Sequence, residues 1–156
     1  VQTCALPILP ELEKVREQIQ AVYENMSWEN TGIGSTIFAE KPGDGSAREQ
    51  AASCQKVLGG WANIAREYAT KRYRSNLINW GMLPFLFTDK EMVFAKGDYI
   101  YIPDIQEAVK KGKAEIKVFV IKDKLYPFIL KLGEMTQDER DILLEGCLIN
   151  YYKLHI

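Results

Sequence analysis

The chain has 156 residues, 47% hydrophobic and 26% charged, enough for one globular domain and too apolar for a disordered segment. Twenty basic residues face 21 acidic ones. No net field draws the chain to nucleic acid or to an anionic membrane, although a local patch stays open.

No apolar run reaches the roughly 18 residues of a membrane span, and no signal-peptide pattern opens the chain. A cytoplasmic location is the default expectation. The three cysteines, Cys4, Cys54 and Cys147, form neither a CxxC pair nor a zinc spacing. Cys54 and Cys147 are expected to be small buried apolar residues in a reducing compartment. Residues 1–8 lack periodicity and an initiating Met. They are expected to be a non-native, adapter-derived segment. That leaves residues 9–156 as one domain, a piece of a larger protein.

In chain order, Pro10 suits a first helical position. Leu12, Val15, Ile19, Val22 and Met26 recur at spacings of three and four, which predicts an amphipathic helix from about Pro10 to Asn25. Ile33 to Ala39 reads as a buried strand. Lys41-Pro42-Gly43-Asp44-Gly45 stops it, and a helix is predicted from Ser46 to Leu58, ended by Gly59 and Gly60. Trp61 to Ala65 reads as a strand, and Glu67 to Trp80 as a helix closed by Gly81 and Pro84. Tyr99 to Ile102 is a predicted strand, followed by a short helix from Asp104 to Lys111 with Asp104 as its cap. Glu115 to Ile121 is a strand with Ile116, Val118 and Val120 on one face and Phe119 and Ile121 on the other. Leu125 to Leu132 is another, where Pro127 points to an edge or a bulge. Thr136-Gln137-Asp138-Glu139 is a capping box opening a last helix to about Tyr152. Gly146 inside that helix implies a close backbone approach. This alternation argues an α/β domain with a largely parallel sheet.

Chemistry concentrates in Gly43 to Pro84. Gly43 and Gly45 permit positive φ and close approach to a ligand. Ser46 is predicted at a helix start, facing unpaired N–H groups and the positive end of the helix dipole, where a carboxylate is welcome. Arg48 can offer a bidentate fork to it. A structural reading competes: Ser46-Ala47-Arg48-Glu49 is itself an S-x-x-E capping box. The only histidine is His155, near the C-terminus, so no nucleophile–base pair is visible beside Ser46, which argues against a Ser-His-Asp hydrolase.

The ordered series matters more than the turn alone. Gly43-Asp44-Gly45-Ser46-Ala47-Arg48-Glu49-Gln50-Ala51-Ala52, then Leu58-Gly59-Gly60, then Asn76 with Gly81-Met82-Leu83-Pro84 resembles the C-terminal swivel domain of the aconitase family. Members of that family carry G-x-G-S-S-R-E-H-A-A, L-G-G and a later asparagine ahead of G-L-L-P. Gly146 to Asn150 resembles the family's closing helix, so the likeness spans about Ile33 to Tyr152. It implies a swivelling β/β/α domain with a mostly parallel sheet flanked by helices. It also implies that Ser46 is the catalytic serine, removing as alkoxide a proton from the carbon next to a substrate carboxylate. Arg48 would bind that carboxylate, with Gly45 and Ala47 beside it. A 4Fe–4S cluster is expected on other domains of the full-length protein and none on this chain. The partners implied are those domains and a small hydroxy-carboxylate substrate. The chain would then be the lid of a hydro-lyase and inactive by itself. Ala47 and Gln50 depart from the family's serine and histidine, and the pattern is closer to a less-characterised hydratase branch than to a citrate–isocitrate enzyme. Two alternatives stand beside this: a non-catalytic small subunit or assembly module of the same fold, and an RNA-binding relative using Lys71, Arg72, Tyr73 and Arg74.

Overall fold

The structure, a computed structural model, describes residues 10–155; the expectation for residues 1–8 lies outside them. The elements are α1 (Pro10–Gln20), β1 (Ser35–Ala39), α2 (Arg48–Val57), β2 (Gly60–Ala65), α3 (Lys71–Asn79), β3 (Leu83–Leu86), β4 (Tyr99–Tyr101), α4 (Ile105–Lys110), β5 (Glu115–Ile121), β6 (Leu125–Leu132), α5 (Gln137–Leu144) and α6 (Leu148–His155). The expected α/β class is realised as one six-stranded sheet, ordered β1-β2-β3-β6-β5-β4. Parallel pairing joins β1 to β2 and β2 to β3. The other three pairings are antiparallel, so β1, β2, β3 and β5 point one way and β6 and β4 the other.

The β5–β6 hairpin falls on its predicted bounds. Ile116, Val118 and Val120 enter the main core with Ala62, Ile64, Phe85, Phe87, Phe128 and Leu130. Phe119 and Ile121 are buried on the opposite side, where Ile121 joins Val15, Ile19 and Met26. Alternation within one strand thus feeds two cores. Pro127 pairs with Phe119, but β3 reaches only Lys131 and Leu132, so β6 is a local edge at its proline.

Six expectations need correcting. Strand β1, expected to be buried from Ile33, starts at Ser35 and is exposed through Ile37 as an edge strand, and α3 starts at Lys71 after its Thr70 cap, not at Glu67. The first helix stops at Gln20, five residues early, and Val22 is consequently 60% exposed rather than part of the stripe. A strand, β3, follows Gly81 where only a helix stop was predicted. It tolerates Pro84 because β6 pairs with β3 only from Phe85 onward, so no β3–β6 bond is lost. The last helix is two helices, broken at Gly146, whose φ is +88°. Cys54 is exposed and Cys147 half-buried. Ala52 is the inward position of α2, and a residue two places on points away from it.

The parallel half of the sheet positions the residues singled out above. Helices α2 and α3 pack together over β2 and β3 through Ala52, Tyr73, Leu77 and Met82. Tyr73 is 2% exposed, and its hydroxyl accepts from Gln55 Nε2 at 3.0 Å and from Asn63 Nδ2 at 2.9 Å. Asn63 is 1% exposed, and its Oδ1 has no partner among the described residues. Removing the Tyr73 hydroxyl would leave the buried Asn63 amide and the half-buried Gln55 amide unmatched as well. Tyr73→Phe is therefore expected to cost roughly 1–3 kcal/mol, read as a lower thermal-unfolding midpoint.

Candidate functional site at the start of α2

The turn after β1 is tied to the segment that leads into α3. Glu67 N–H donates to Glu40 O at 3.0 Å, Ala69 N–H to Pro42 O at 3.0 Å, and Thr70 Oγ1 to Gly43 O at 3.1 Å. The same Thr70 hydroxyl caps α3 by accepting from Tyr73 N–H. Gly43 has φ +95°, and a Cβ there would stand 2.5 Å from Tyr73 Cβ. Only glycine lets the backbone lie on the tyrosine in that conformation. Gly45 does not share the role: its φ is not positive, and a Cβ there would meet nothing within 4 Å.

Behind the turn, the Tyr68 hydroxyl lies 3.2 Å from Asn63 O and 3.1 Å from Phe85 O. Burial pushes its pKa up, and Tyr73 beside it adds to the rise against a smaller opposing effect of Arg74. It stays a hydrogen-bond donor, holding β2 to β3 beneath the site.

The predicted S-x-x-E box is not formed. Helix α2 begins at Arg48, with Ala47 at the N-cap (φ −85°, ψ 44°) and no side-chain cap. Ser46 is one residue too early to cap, and Glu49 falls at the second helical position instead of the third. Its Oε1 accepts from Trp80 Nε1 at 3.0 Å. The box at Thr136 does form, with Glu139 N–H donating to Thr136 Oγ1 and Thr136 N–H to Glu139 Oε2.

The uncapped helix start leaves donors free. Among the described residues, the backbone N–H groups of Ser46, Ala47, Arg48 and Glu49 have no hydrogen-bond partner. Gly45, Ser46 and Ala47 are exposed and Arg48 is half-buried. Arg48 Nε donates to Gly45 O at 2.8 Å, which fixes the stem of the guanidinium. Its terminal nitrogens make no ion pair with a described residue. A hydroxyl, four N–H groups and a cation thus lie within four consecutive residues at the positive end of a helix, a combination suited to a carboxylate or an oxyanion.

The arrangement is an open surface, not a closed pocket. A cleft bordered by Ile19, Tyr23, Trp61 and Tyr101 lies elsewhere, and none of Gly45, Ser46, Ala47 or Arg48 lines it. No group of three or more His, Cys, Asp or Glu among the described residues could hold a metal ion. Cys54 and Cys147 by themselves do not make the cysteine set an iron–sulfur cluster takes, so the described residues do not fit that cofactor. No described helix is long and apolar enough to cross a membrane.

Of the basic segment, Lys71 and Arg72 are exposed. Arg74 is engaged by Glu139 at 3.3 Å and by Glu134 O at 2.8 Å, and Tyr73 is buried. The segment therefore presents no aromatic face for a base to stack on.

Sequence comparison bears on what such a surface serves. A family model described as the aconitase C-terminal domain matches residues 10–90, more than half of the chain. The chain is 30% identical over 133 residues to the mitochondrial homocitrate dehydratase of Saccharomyces cerevisiae, covering 81% of this chain and 17% of that protein. It is 35% identical over 148 residues to aconitate hydratase A of Rickettsia bellii, covering 90% of this chain and 16% of that protein. It is 31% identical over 119 residues to the homoaconitase small subunit of Thermus thermophilus, covering 76% of this chain and 64% of that subunit. The chain thus spans about a sixth of the first two relatives' length and under two thirds of the third. Taken with the ordered glycine, serine and arginine turn, the match establishes that this chain belongs to the aconitase C-terminal domain family.

Proposed function

We propose that the chain is the swivel, or lid, domain of an aconitase-like hydro-lyase that reversibly dehydrates and hydrates a small hydroxy-carboxylic acid. The observation that carries this reading is the uncapped start of α2. Four unpartnered N–H groups and a guanidinium with no ion-pair partner lie on the same four residues as an exposed serine there, in a chain of this family. Arg48 clamps a substrate carboxylate, and the N–H groups of Ala47 and Arg48 add donors to it. Gly45 supplies the carbonyl that orients Arg48. Ser46, as alkoxide, takes the proton from the carbon next to that carboxylate. The cation and the helix N-terminus both favour the oxyanion this requires. The iron–sulfur cluster expected in the full-length protein belongs to other domains, and no step assigned to this chain runs through it.

Two tests follow. In the full-length enzyme, Arg48→Lys is expected to raise KM roughly tenfold with a smaller change in kcat, because a point charge replaces a bidentate fork. Steady-state kinetics on unsaturated di- and tricarboxylates would measure it, and an unchanged KM would mean that Arg48 only packs. The chain alone, having one wall of a site, is expected to show no turnover in the same hydration assay; measurable turnover would sink the lid reading.

A second reading shares the surface but not the connectivity. The chain covers far more of a homoaconitase small subunit than of the long relatives. That coverage favours a separate subunit that docks on a large one. A stop codon between this reading frame and any upstream cluster-binding region would support it, and a continuous frame would remove it.

A further inference from the structure

We propose that Trp80 is a positioning residue whose indole N–H draws the Glu49 carboxylate off the Ser46 turn, keeping the turn's N–H groups open to an anion. The inference rests on the anion-site reading for its consequence, but its geometry stands apart from that reading. Local sequence favours the opposite arrangement: in S-x-x-E the glutamate folds back onto the helix start, as Glu139 does onto Thr136 N–H at 3.0 Å. A carboxylate so placed at Ser46 would occupy the donors a substrate carboxylate needs.

In the folded chain Glu49 instead reaches across to α3, where its Oε1 accepts from Trp80 Nε1 at 3.0 Å. Trp80 is able to hold it because its ring is fixed. The ring packs against the cluster of Ala52, Tyr73, Leu77 and Met82. The helix end beneath it is locked by Gly81 N–H to Ile78 O and Met82 N–H to Leu77 O, both at 2.8 Å. Asp44, exposed, is the other carboxylate of the turn.

The test uses the 156-residue chain and amide NMR, with citrate as the probe anion. Without citrate, Glu49→Ala, which removes the acceptor, should shift the Trp80 indole N–H resonance upfield. In Trp80→Phe, which keeps the ring but not the donor, the Ser46 amide should shift downfield, and adding Glu49→Gln should return it. Glu49→Asp, too short to reach the indole, should do the same without touching the packed ring. It serves if Trp80→Phe fails to fold. With citrate, both variants should bind roughly two- to fivefold more weakly. Trp80→Phe combined with Glu49→Gln should restore the parent affinity.

A Ser46 amide that stays at its parent position in both Trp80→Phe and Glu49→Asp would overturn the proposal, whatever citrate does. Failure of the anion-site reading looks different: citrate-induced shifts at Ser46 would be absent, or would survive Arg48→Gln.

Discussion

Ser46→Ala in the full-length enzyme is expected to lower kcat by about 10³-fold, the scale of losing a positioned proton-transfer group. Folding stability should stay within about 0.5 kcal/mol of the parent. The pairing of these two outcomes is what makes the experiment decisive. Had Ser46 capped α2, its removal would cost about 1 kcal/mol of stability. The helix starts two residues later, Ala47 holds the N-cap position, and the Ser46 side chain makes no cap bond. A serine that makes no bond to the helix it precedes can be replaced at little cost to the fold, so a loss of kcat would be read as chemistry. The neighbouring position strengthens the expected loss. Where the family pattern has a second serine this chain has Ala47, so no adjacent hydroxyl can substitute. Near-normal kcat with the fold intact would remove Ser46 as the base. A drop in unfolding free energy with kcat preserved would return it to the capping role.

What the sequence made legible was the periodic part of the fold. The β5–β6 hairpin appeared on its own bounds because alternation over seven and eight residues has one structural meaning. The Thr136 box was equally readable, because the helix it opens starts where the box requires. Ser46 misled for the same reason in reverse. Its local signal was sound, but Trp80, 31 residues beyond Glu49, competes for the carboxylate, and no window along the chain reveals that. Asp104 is a milder case. It occupies the predicted N-cap position, in a left-handed conformation with φ +50°, and makes no side-chain cap. Strand β3 escaped notice because Pro84 argues against a central strand. The ladder that makes the proline harmless comes from β6, some 45 residues later. The residues proposed to bind and react, Ser46 and Arg48, were visible in the sequence. The freedom of their backbone donors was not, since it depends on where α2 begins.

Gly81→Ala is expected to destabilise the chain by roughly 2–5 kcal/mol, on the order of 10 °C in midpoint. Two independent causes converge on this glycine. It is the left-handed residue (φ +67°) that ends α3 in a Schellman motif, which costs an alanine about 1–2 kcal/mol. A Cβ at Gly81 would also stand 1.7 Å from Gly146 O, a backbone atom that no rotamer change can move. The close approach implied by Gly146 is thus real, and its partner is the end of α3. Gly146 itself needs its positive φ to break α5 from α6 and turn that carbonyl inward. Gly97→Ala provides the control: its φ is +95°, but a Cβ there would meet nothing within 4 Å. That variant should pay only the conformational cost. Urea unfolding of the two variants separates the terms, and their difference measures the collision of α3 with the α5–α6 junction. Equal losses would mean that the junction moves aside. In that case the C-terminal helices would be a loosely held layer, not a wedge against the end of α3.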